Sequence, residues 1–135
     1  MDFASVDYLA CLVAAVAAFA FGAVWYTVLS KPWVAAMGKS EAELKASANP
    51  VTFAVTALAC FVTAVVLAMI WGGGLAMAGL WPVLRTAIIL WVGFILTTIA
   101  VHHAYQGQRR SLTVIDGGYG LGVVVVESIV LWLFA

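Results

Sequence analysis

The sequence predicts an all-α integral membrane fold: four transmembrane helices in an up-down bundle, with a short surface helix in loop one. Three observations carry that expectation. Hydrophobic residues make up 66% of the 135 and charged residues 9%, against about 45–50% and about 25% in soluble domains. Four apolar stretches each reach the roughly 20 residues that a helix needs to cross the hydrocarbon core. Short polar or helix-breaking segments separate them, which makes successive helices antiparallel neighbours. A soluble domain of this size has too much surface for so few charges, so lipid must cover it. The 135 residues are enough for one domain and too few for two ordinary ones. Net charge is zero, which removes any overall attraction to nucleic acid and leaves the lipid bilayer as the partner.

Each span has its own punctuation. The first runs from Tyr8 to Leu29 and is closed by Lys31-Pro32. The second, Val51 to Trp71, is opened by Asn49-Pro50 and closed by Gly72-Gly73-Gly74. Trp81-Pro82 opens the third, Val83 to Tyr105, and the polar turn Gln106 to Ser111 precedes the fourth, Leu112 to Phe134. Proline in a first helical turn loses no hydrogen bond, so these prolines mark starts and not kinks. In loop one, Ser40 and Glu43 have the spacing of a capping box, which predicts a surface helix from Glu41 to Ala48. The first span reads as a permanent helix. Asp2 and Asp7 precede it without a Lys or Arg, and it exceeds the about 7–15 apolar residues of a signal core. The last residues, Leu-Trp-Leu-Phe-Ala, carry no lipidation box, so no lipid anchor is expected there.

Basic residues set the expected orientation. Lys31, Lys39, Lys45, Arg109 and Arg110 fall in loops one and three, whereas the N-terminus and loop two together offer Arg85. The positive-inside rule then puts loops one and three in the cytoplasm and both termini outside, in a bacterial inner membrane. Trp25, Tyr26, Lys31 and Trp33 fit the interfacial belt as anchors.

Phe21-Gly22-Ala23-Val24-Trp25-Tyr26, with Leu29, Lys31 and Trp33, closes the first span. Leu90-Trp91-Val92-Gly93-Phe94 with Thr97-Thr98 lies in the third, and Ile115-Asp116-Gly117-Gly118-Tyr119 opens the fourth. In this order and at these distances the chain resembles the bacterial membrane family catalogued as domain of unknown function 1761, over nearly its whole length. The sequence departs from that family at Asp116, where Asn is usual, and at Gly120, where His is common. The resemblance implies four helices and an uncharacterised function, and it supplies no catalytic or binding residue.

Charged groups inside a membrane are expensive and mark function by default. The candidates are Arg85, His102, His103, Asp116 and Glu127. Asp116 and Glu127, eleven residues apart, fall on one helical face, as do Arg85 and His103, eighteen apart. Joined by a short turn, the third and fourth spans can bring Arg85 to Glu127 at one end and His103 to Asp116 at the other. Such pairs would act as register-fixing clamps or line a proton or ion path. No known metal-ligand spacing connects the histidines and acids, so no metal or cofactor is expected.

Small residues give a second signal. Ala10, Ala14, Ala18 and Gly22 recur every four residues, and Gly118 with Gly122 forms a Gly-x-x-x-Gly step. Such stripes let helix backbones approach closely. One face of the fourth helix could serve inside the protomer and the other a partner. The Thr52, Thr56, Cys60 and Thr63 stripe reads as core packing, with threonine hydroxyls bonded to their own helix. Cys11 and Cys60 read as small buried hydrophobes.

No nucleophile elbow, phosphate loop or zinc spacing appears, so an enzyme is not expected. The primary expectation is a protein acting through helix packing, as a homo-oligomer or as a small subunit of a larger membrane assembly. The alternative is a small ion- or proton-coupled channel or transporter whose path passes Glu127 and His103.

Overall fold

The four spans form in the computed structural model, which describes residues 2–135, as helices at Tyr8–Val28, Pro50–Trp71, Leu80–Tyr105 and Arg110–Phe134. All four are long and apolar enough to cross a membrane, and no strand occurs among the described residues.

Local chemistry starts the helices. Asp7 caps α1 (Tyr8–Val28) by accepting from the Ala10 N–H at 3.0 Å. Asn49 does the same for α4 (Pro50–Trp71) through the Thr52 N–H, with Pro50 in the first turn. Between them, Ser40 and Glu43 close the expected capping box and start α3 (Glu41–Ser47). Lys31-Pro32 does not end the first span as the sequence suggested. The break falls at Leu29, and a further helix, α2 (Ser30–Met37), begins at once and places Pro32 in its own first turn. Proline is tolerated there for the same reason that it was expected to mark a start. Gly38 ends α2 in the left-handed conformation, φ 65°, which glycine adopts without strain.

The third span begins earlier than expected, at Leu80, and is not a uniform α-helix. α5 (Leu80–Leu90) runs into a π-helical stretch, Trp91–Leu96, and continues as α6 (Thr97–Tyr105). The fourth span is the single helix α7 (Arg110–Phe134).

That last helix is the hub of the bundle, packing against α1, α2, α4, α5 and α6. Its inner face, Ile115, Val123, Val124, Glu127, Ser128 and Leu131, is buried. The stripe of small residues on α1 is buried too: Ala14 and Ala18 are 0% exposed and Ala10 is 2% exposed. A side chain at Gly118 would meet the Trp25 ring at 2.6 Å, and one at Gly22 would meet Tyr119 at 2.7 Å. One at Gly122 would run into the Phe21 ring. Both small-residue stripes therefore serve contact between α1 and the rest of the same chain. The face of α7 offered to a partner on sequence grounds is filled by Phe21 and Trp25.

Of the Thr52, Thr56, Cys60 and Thr63 stripe expected to pack in the core, Cys60 alone is buried, because Thr52 is exposed and Thr56 and Thr63 sit at the edge of the helix contact. The expected bonding of hydroxyls to their own helix does hold for the last two. Thr56 and Thr63 donate to the carbonyls of Thr52 and Ala59 on their own helix, at 2.8 and 2.9 Å. Cys11 and Cys60 are buried and free.

Candidate intramembrane polar site

Two polar regions lie inside the bundle, at different depths along α7. The first is at the end that carries loops one and three. Asp116 projects from the second turn of α7 toward α1 and α6. Its Oδ1 accepts from the Tyr26 hydroxyl at 2.7 Å, and its Oδ2 lies 3.4 Å from His103 Nε2. The other ring nitrogen of His103 is 3.0 Å from the Thr113 hydroxyl. Three helices thus meet on one carboxylate. The expected His103–Asp116 pair is present, and Tyr26 completes it.

Two indoles brace the same region. Trp25 Nε1 donates to the Ile115 carbonyl at 3.0 Å, and Trp91 Nε1 donates to the Gly117 carbonyl at 2.8 Å. Both reach α7 because glycine clears the way. Trp25 lies over Gly118, while Trp91 and Ile95 lie over Gly120. Trp25 and Tyr26, read from the sequence as interfacial anchors, are half-buried donors to the neighbouring helix. Trp33 stacks edgewise on Tyr26, with ring centres 5.5 Å apart, and Lys31 is exposed. The clue missed in the sequence was their repeat of the inward face: Tyr26 follows Gly22 by four residues.

The second region is about 16 Å deeper, eleven residues along α7 at 1.5 Å each. Glu127 is 0% exposed, and neither carboxyl oxygen has a hydrogen-bond partner. It projects between Val124 and Leu131, which join a core with Cys11, Ala14, Ala64, Leu67, Trp71, Val83 and Ala87. The Trp71 indole N–H and the Ser128 hydroxyl are likewise buried without partners.

The expected Arg85–Glu127 pair is not formed. Arg85 is exposed on the outer face of α5, whereas Val83 and Ala87, two residues away on each side, are fully buried. A two-residue step turns about 200° around a helix, so a buried Val83 and Ala87 force Arg85 outward. Nor do Arg85 and His103 share a face. The π-helical stretch between them holds more residues per turn than an α-helix and shifts the phase of everything after it. His103 accordingly turns in and His102 out.

Only two ligating side chains, His103 and Asp116, converge at the first region, and among the described residues no three His, Cys, Asp or Glu side chains do so anywhere. Shallow depressions line the outer surface, one of about 240 Å³ bordered by Thr97, Thr98, Val101 and His102. They lie away from both polar regions.

No curated protein and no solved structure matches the chain. A family model does, the one described as Protein of unknown function (DUF1761), over residues 9–132. With four apolar helices and a match that takes in the second and third spans whole and nearly all of the first and fourth, the chain is a membrane protein belonging to that uncharacterised family.

Proposed function

We propose that the protein is a small proton-coupled channel or transporter whose path passes Glu127 and His103, and not an enzyme. The observation that carries this reading is Glu127 itself, wholly buried in the bundle with no cation paired to it and no hydrogen bond made to either carboxyl oxygen. A structural clamp needs a partner, and Arg85 is on the wrong face to be one. An orphaned carboxyl in a membrane interior is costly to keep. A proton is the ligand that removes its charge without requiring any extra room. At the other end, His103 has an acceptor at each ring nitrogen, Asp116 and Thr113, so a doubly protonated ring would be fully bonded there.

The test is proton flux in liposomes containing this protein alone. Wild type should dissipate an imposed pH gradient. Glu127→Gln should keep the fold and lose the flux at least tenfold, because shape is retained and the titrating group is gone. Flux equal to wild type in Glu127→Gln would remove Glu127 from the path.

In this reading the protein resides in a bacterial inner membrane with loops one and three in the cytoplasm and both termini outside. Five of the six basic side chains support that orientation. Periplasmic reporters fused after Ala135 should be active and cytoplasmic reporters silent, and the reverse pattern would invert the topology.

A second reading, a homo-oligomer or small subunit acting through helix packing, draws support from the third span. Only 11% of its most apolar stretch is buried inside the chain, against 39% for the fourth span. Gly93, Thr97, Thr98 and His102 face outward on it. A native-mass measurement from the membrane, without overexpression, separates a lone chain from either assembly.

A further inference from the structure

Five of the six basic side chains lie at one end of the bundle, and packing gathers them there. Ala36 of α2 shares a buried cluster with Leu112 and Ile115 of α7, with Trp33 and Met37 packed against it. α2 therefore lies over the first turns of α7. Lys31 stands in the first turn of α2 and Lys39 just past its end, while Arg109 and Arg110 start α7. The arginine pair stands on a fixed turn. Gly107, at φ 65°, lets the chain reverse, and the Gln106 and Gln108 N–H groups donate back to the His102 and His103 carbonyls at 3.0 and 2.9 Å. All five basic side chains, Lys45 of α3 included, are exposed, and among the described residues none pairs with a carboxylate. Glu41 and Glu43 share that end, and Glu43 is folded back onto the Ser40 N–H. At the opposite end the balance reverses, with Asp2 and Asp7 against Arg85.

The same end carries two depressions in the outer surface. One, of about 260 Å³, is bordered by Ala23, Val24, Thr27 and Val28 and closes just before Lys31. The other is the depression of about 240 Å³ that ends at His102, next to the turn that holds Arg109. Contact of Tyr26 and His103 with one carboxylate, Asp116, puts the two at the same depth. We propose that this end is a docking surface for anionic phospholipid, its phosphate held by Arg109, Arg110 and Lys31 and its acyl chains laid in the two depressions. Arginine takes a phosphate through two parallel N–H bonds, and the lysine adds a point charge. The ligand must join an anion to an apolar tail, because the unpaired cations border grooves on the lipid-facing side of two spans. A phospholipid has both parts, whereas an acidic protein or a nucleic acid has no part that enters those grooves. The inference is independent of the proton-coupled reading.

The experiment titrates the purified chain, in neutral detergent, with phosphatidylglycerol or with phosphatidylcholine of the same chain length. Native mass reads binding, and thermal unfolding reads its effect. Phosphatidylglycerol should stay bound and raise the melting temperature, and phosphatidylcholine should do neither. Molar salt, which screens charges beyond about 3 Å, should remove most of the difference. Arg109→Gln and Arg110→Gln should each weaken binding about fivefold, and the double change about 25-fold. Their lipid-free melting should match wild type, since both side chains are exposed and unpaired. Arg85→Gln removes an exposed arginine at the opposite end and should bind the lipid like wild type. Equal retention of the two lipids overturns the proposal, as does an equal loss of binding in Arg85→Gln and the double variant. Glycerol phosphate, the headgroup without its chains, should fail to compete at equal concentration. Competition by it would reduce the surface to a site for free anions, and tighter binding of a polyglutamate peptide would assign it to an acidic protein. Either result overturns the lipid as occupant.

Discussion

Glu127→Leu should make the bundle more stable while abolishing proton flux. In the native protein both carboxyl oxygens are buried without partners, and an unsatisfied buried polar group costs about 1–3 kcal/mol. When the helices separate in the bilayer, local thinning and water defects can reach the carboxyl, an option that the packed bundle denies it. Leucine is of similar volume and has nothing to satisfy, so a gain of roughly 1–3 kcal/mol is expected. Unfolding of the purified protein by graded anionic detergent gives the number. A double cycle with Arg85→Leu should be additive, since Arg85 is exposed on the outer face of α5 and Glu127 is buried in the core without a salt-bridge partner. Strong rescue of either single change by the other would show that they do touch. A stability loss on Glu127→Leu would mean that the carboxyl has a partner after all. Gain of stability with loss of flux is the pattern of a residue kept for function at a structural cost.

Gly122→Val should damage the protein more than any surface change. A side chain there would run into the Phe21 ring, at the contact that holds α1 against the hub helix. Overpacking of a well-filled interface costs about 1–3 kcal/mol. In a bilayer no hydrophobic driving force compensates for a lost fit between helices. Because the clash is with one side chain, Phe21→Ala should recover much of the loss. The expected result is a double variant clearly more stable than Gly122→Val alone, measured by the same unfolding assay. Without recovery, the obstruction is backbone to backbone and not the Phe21 ring. If Gly122→Val has wild-type melting, α1 does not pack here and the face is free for lipid or a partner.

The two cases differ in how far the sequence could reach. Length, hydropathy and punctuation determined the four spans, because burial of backbone polar groups in lipid permits little else. The capping box at Ser40 and Glu43 and the Asn49-Pro50 start are local chemistry, and they form as read. The His103–Asp116 pair was legible because a six-residue polar turn leaves the two helices no freedom to separate. Tertiary structure alone decided the rest. A straight-helix phase put Arg85 beside Glu127, but the π-helical stretch at Trp91–Leu96 breaks the 3.6-residue period on which that phase depends. No composition signal announces the break. The use of the small-residue stripes was also undecided in sequence, since alanine and glycine permit close approach without specifying by what. Phe21, Trp25 and Tyr119 fill those notches from the same chain, and that placement follows from the order in which the helices pack. The same packing carries Tyr26 from the membrane interface to Asp116 and leaves Glu127 alone in the core, because a side chain's partners depend on which neighbouring faces the fold turns toward it.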